Sequence, residues 1–69
     1  MELNIGKNIK RKREEYDLEQ KELAHRADTT PMMISYIERD IKKPSVELLV
    51  RIAEVLHCTV NDLVYDKSA

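Results

Sequence analysis

Between Gln20 and Arg39 the chain places two short sets of apolar residues at helical spacing on either side of a break, and no other segment restricts the fold so tightly. Leu23, Ala24 and Ala27 stand three and four positions apart, Ile34 and Ile37 resume the pattern, and most of the residues between them are polar or charged. Two helices therefore share one apolar seam. The break reads Asp28-Thr29-Thr30-Pro31. Aspartate tolerates a left-handed backbone, Thr30 can cap the next helix, and Pro31 suits its first position because that N–H has no intrahelical partner.

Helical signals flank this pair on both sides. Ile5 and Ile9, with Lys12 turned inward along its methylene stem, give a first helix ending near Tyr16. After a turn at Asp40 to Pro44, Ser45 caps a fourth helix whose core face is Val46, Leu49, Ile52, Ala53 and Leu56. Leu48 and Val55, seven residues apart, lie off that stripe. His57 and Cys58 interrupt the pattern, and Thr59 with Asp62 resembles a capping box for a fifth helix holding Val60, Leu63 and Val64. No segment defends a strand, so the fold class is all-α. One five-helix domain over residues 5–65 is expected, with 66–69 a frayed C-terminal tail.

A 69-residue chain buries only roughly 60% of its unfolded surface, which makes dimerisation a plausible source of stability. No apolar run approaches the roughly 20 residues needed to cross a bilayer, and the N-terminal segment lacks an apolar signal core. The single Cys58 cannot form an intrachain disulfide. A cytoplasmic protein with no membrane partner is expected. The net charge of −1 does not mark a nucleic-acid binder, but its distribution is uneven. Residues 1–43 hold 10 basic and 9 acidic side chains, and Lys7, Lys10, Arg11, Lys12 and Arg13 follow one another with no acid between them. They form either a positive stripe or an ordinary solvated face, since Glu14 and Glu15 can pair back to them.

At this point the chain resembles the Cro/cI-type (XRE family) helix-turn-helix proteins over nearly all of Ile5 to Val64, with the helix-turn-helix motif at 20–39. The resemblance rests on Ile9, Arg13, Leu18, Gln20, Glu22-Leu23-Ala24, Ala27, Ile34, Ser35, Ile37-Glu38-Arg39, Pro44-Ser45, Leu49, Ile52-Ala53, Leu56 and Asp62-Leu63. It implies a lambda-repressor-like domain that binds double-stranded DNA as a homodimer and regulates transcription, as a repressor or autoregulator, with its third helix in the major groove. Carried onto matching positions, it implies base-facing roles for Thr30, Pro31, Met32, Ser35 and Tyr36. It implies phosphate contacts for Gln20, Arg39, Lys42 and Lys43, and a structural salt bridge between Arg13 and Glu38.

Departures from the family pattern are informative. The recognition positions before Arg39 hold no Arg, Asn or Gln, so bidentate contacts to guanine or adenine are missing, and a thymine-containing site read partly through DNA shape is expected. Asp28 and His57 replace turn glycines, Thr29 a buried aliphatic and Lys12 a leucine. Leu48 and Val55, with Val60, Val64 and Tyr65 nearby, suggest a dimer interface. His25, His57 and Cys58 make no ligand set, and Gly6, the sole glycine, leaves no phosphate-cradling loop, so neither catalysis, metal, cofactor nor small-molecule effector is expected. The rival from another class is a protein-interaction module on the same scaffold, antitoxin-like or an anti-regulator.

Overall fold

The computed structural model describes residues 3–65, so the expected frayed tail at 66–69 lies outside the described residues. Five helices follow in order: α1 (Ile5–Glu15), α2 (Gln20–Arg26), α3 (Pro31–Glu38), α4 (Val46–Val55) and α5 (Val60–Val64). Each of the last four begins at a residue that satisfies orphan N–H groups. Thr30 Oγ1 accepts from the Met33 N–H, Ser45 Oγ accepts from Leu48, and Pro31 occupies the first position of α3. Thr59 and Asp62 form a reciprocal capping box. A second box, Glu19 with Glu22, opens α2; its Glu-x-x-Glu pattern hides the cap because glutamate is an uncommon one.

The helix ends share one device. At Asp17, Asp28, Asp40 and His57 the backbone turns left-handed, with φ of 55°, 58°, 60° and 53°. In each case that residue's N–H bonds the carbonyl three residues back, and the next N–H bonds the carbonyl five back: Leu18 to Arg13, Thr29 to Ala24, Ile41 to Tyr36 and Cys58 to Ala53. These are Schellman closures, made four times without glycine.

The core gathers Ile9, Leu23, Ala24, Ala27, Ile34, Ile37, Leu48, Leu49, Ile52, Ala53, Leu56 and Leu63. α1 packs against α3 and α5, α2 against α3 and α4, and α4 against α5. Two expectations for α4 are corrected. Val46, assigned to the core face, is 79% exposed, whereas Leu48, placed off the stripe, is 6% exposed and belongs to the core. At 100° per residue these two flank the stripe on opposite sides, and only the flank shared by Leu48 and half-buried Val55 is covered.

Two residues of α1 escaped the sequence reading. Asn8, on the same face as Ile5 and Ile9, is buried, and its Nδ2 donates to the carbonyls of Leu63 and Tyr65, both at 3.0 Å. The Asn4 N–H donates to Val64, and Leu3 and Tyr65 form an isolated antiparallel bridge, the only β pairing among the described residues. Gly6 sits where α1 meets the end of α3; a Cβ there would collide with the Ile37 carbonyl oxygen.

Asp17→Gly is expected to stabilise the domain by about 0.5–1 kcal/mol, because glycine adopts positive φ without a Cβ penalty and removes an acid from a helix C-terminus. Thermal unfolding should show a rise of roughly 2–8 °C, and Gly6→Ala should show a fall.

Candidate nucleic-acid interface

The outward side of α3 begins with Thr30, Pro31 and Met32, all exposed, Met32 at 63%. A large apolar side chain is held in water at the tip of this helix. One turn further on, Ser35 and Tyr36 are half-buried. Met33 leans on the core instead, as its position beside Ile34 allows. Thus all five residues expected to face bases start from or lie along one helix, none with a side chain that can hydrogen-bond a base edge in a bidentate way.

Cations flank the far end of this surface. The Arg39 guanidinium lies 5.5 Å from the Tyr36 ring centroid, and the Lys42 ammonium lies at the same distance. Arg39 Nε also donates to Ser35 Oγ at 3.2 Å. Lys42 and Lys43 are exposed in the connection to α4. On α1, Lys7 and Lys10 are exposed, while Arg11 and Lys12 lie 3.9 and 4.0 Å from Glu15. The stripe is therefore partly neutralised toward the C-terminal end of α1. Lys7 and Lys43 line a cleft of about 270 Å³ together with Glu38 and Asp40, so its charge is mixed.

Behind α3 lies a buried ionic network. Arg13 Nε donates to Glu38 Oε2 at 2.7 Å and its Nη2 to Oε1 at 3.0 Å, while Nη1 donates to the Leu18 carbonyl at 2.7 Å. The side chains are 11% and 2% exposed. The hydrogen bonds it donates to Glu38, opposed by burial, hold the Arg13 guanidinium above its ordinary pKa. Gln20 Nε2 joins the same carboxylate, donating to Oε1 at 2.9 Å. Sequence reasoning assigned Gln20 to a phosphate and did not see this bond, which links residues 18 positions apart.

The residues expected at a dimer interface are divided. Leu48 is committed to the core, as described above; Val55, Val60 and Val64 are half-buried against it, and Tyr65 is exposed. Among the described residues no group of three His, Cys, Asp or Glu side chains could hold a metal ion, and no helix is long and apolar enough to cross a membrane.

The Helix-turn-helix family model matches residues 9–63. The N-terminal DNA binding domain of SinR from Bacillus subtilis is similar to this chain with a TM-score of 0.87 and 33% identity, over 94% of this chain and 96% of that one. The P22 c2 repressor, solved in complex with synthetic operator 9T, gives a TM-score of 0.83 and 25% identity over 86% of this chain and 89% of that one. SinR in its complex with SinI gives 0.86 and 34% over 93% of this chain, which spans 63% of that longer chain. These neighbours share the lambda-repressor-like, all-α architecture. No curated protein sequence matches the chain.

Removing one partner of the buried ion pair strands the other. Arg13→Met is expected to cost about 3–5 kcal/mol in urea denaturation, and the double variant Arg13→Met, Glu38→Leu to recover most of that loss.

Proposed function

The chain belongs to the Cro/cI-type helix-turn-helix family of DNA-binding transcriptional regulators, and on that premise we propose that it binds a specific double-stranded operator as a homodimer, with α3 in the major groove, and acts as a repressor or autoregulator. The observation that carries this reading is the outward face of α3, where exposed Thr30, Pro31 and Met32 precede Ser35 and Tyr36 and cations cluster at the far end.

In this arrangement the work divides between position and sequence. Arg39, Lys42 and Lys43 meet phosphates, which supplies affinity on any duplex and register on the right one. Gln20 joins them: its amide carries two N–H donors, and the bond to Glu38 uses one, which leaves the second for a phosphate oxygen. Met32 and Pro31 contact thymine methyl groups. The Thr30 hydroxyl accepts from Met33 and keeps its proton to donate, and Ser35 and the Tyr36 hydroxyl add hydrogen bonds of low discrimination. Much of the specificity then falls to DNA shape.

The dimer contact proposed here uses Tyr65 with the half-exposed sides of Val55, Val60 and Val64, and omits Leu48. A two-fold contact at this end of the molecule holds two α3 helices about one DNA turn, roughly 34 Å, apart. Sedimentation at micromolar concentrations is expected to show a dimer that Tyr65→Glu converts to a folded monomer.

Selection of bound duplexes from a random pool at about 0.1 M salt tests the whole reading. The wild type should enrich a thymine-containing motif with two related half-sites, and the Arg39→Ala, Lys43→Ala variant should lose it. Each lost phosphate contact should reduce the slope of log affinity against log salt by about 0.9. No enrichment by the wild type would overturn the proposal in favour of a protein-interaction module.

A further inference from the structure

Tyr36 stands between two cations, and the backbone explains why they converge on it. Arg39 is three residues further along α3, which places it on the same side of the helix as the ring. Lys42 comes back to that side because the chain reverses at Asp40: the Tyr36 carbonyl accepts the N–H of Ile41 at 2.8 Å and that of Lys42 at 3.3 Å. Each cation ends 5.5 Å from the ring centroid, within cation–π range. Tyr36 is half-buried, and two flexible side chains rest against its ring.

We propose that Tyr36 is a positioning residue for Arg39 and Lys42, its ring holding both cations where they meet the phosphate backbone. The proposal rests on the DNA-binding reading of α3 and gives Tyr36 a role beyond any contact its hydroxyl makes. A long side chain loses rotamer freedom when it clasps a phosphate, and a side chain already ordered loses less. Arg39 has a second anchor in Ser35 Oγ, whereas the ring is the contact shown for the Lys42 ammonium. Lys42 therefore depends on Tyr36 more than Arg39 does.

The test is a mutant cycle read on two duplexes, the selected operator and an unrelated sequence, across a range of salt. Tyr36→Leu is expected to weaken binding roughly tenfold on both, the factor that ordering two long side chains represents. Tyr36→Phe loses the hydroxyl but keeps the ring, and should bind the unrelated duplex more tightly than Tyr36→Leu does. In the Arg39→Ala, Lys42→Ala background that difference between the Phe and Leu variants should vanish. Additive losses, or a Phe variant as weak as the Leu variant, overturn the proposal. Tyr36→Met, long but without a π face, replaces the Leu variant should that one unfold.

A DNA-free readout separates this idea from the function beneath it. Ring-current shifts on the Arg39 and Lys42 methylene protons should appear in the wild type and Tyr36→Phe and vanish in Tyr36→Leu. Their absence in a wild type that binds DNA overturns the positioning role alone. Their presence in a protein that binds no duplex overturns the DNA reading, and the phosphate role with it.

Discussion

The Glu38 carboxylate is withdrawn from water at the end of α3, and its burial is sustainable only because three N–H groups converge on it, two from Arg13 and one from Gln20. Arg13 in turn bonds the Leu18 carbonyl in the connection to α2. One charged group thereby ties together α1, the start of α2 and the end of α3. A pair of this kind contributes less to net stability than to geometry, because desolvation offsets most of its attraction. Its effect is to set the angle at which α3 projects. Gly6 adds a second constraint at the same junction, since only a residue without Cβ lets α1 approach the Ile37 carbonyl. The exposed face of α3 is held from behind by α1 as well as by its neighbour α2.

Reading the sequence located nearly all of this architecture, for a physical reason. Helix starts depend on one side-chain oxygen and one spacing, so Thr30-Pro31, Ser45 and Thr59 announce themselves. Helix ends are harder to read in a chain whose only glycine lies in α1. Aspartate at 28 and histidine at 57 were legible as stand-ins for turn glycine and Asp40 as the start of a turn, while Asp17 plays the same part with no local mark to distinguish it from a solvated acid. The error on α4 has a different origin. Val46 and Leu48 are both apolar and both flank the stripe, so the choice between them depends on where α2 and α5 lie, and local sequence does not encode that.

The candidate site was legible in part. The exposed residues of α3 and the cations beyond it follow from helical phase and the turn at Asp40. The bond from Gln20 to Glu38 does not, because it joins two helices whose crossing is set by packing. Asn8 teaches a related lesson. A polar residue on an otherwise apolar face is a signal for a buried hydrogen-bonding role, and its acceptors, Leu63 and Tyr65, lie 55 and 57 residues away. No buried side-chain nitrogen or oxygen among the described residues lacks a partner, so such distant pairings account for the polar groups in the interior.

Through Asn8, Asn4 and the Leu3–Tyr65 bridge, the first helix is latched to the last residues described. The two ends of the domain consequently come loose as one. Loss of the Tyr65 carbonyl takes an acceptor from a buried amide, at a cost of about 1–3 kcal/mol, and loosens α1 where it packs against α5. Because α1 carries Arg13 and Gly6, a change at Tyr65 reaches α3 without touching it. The C-terminal end of α5 and the placement of the projecting helix are in this fold coupled through the same latch.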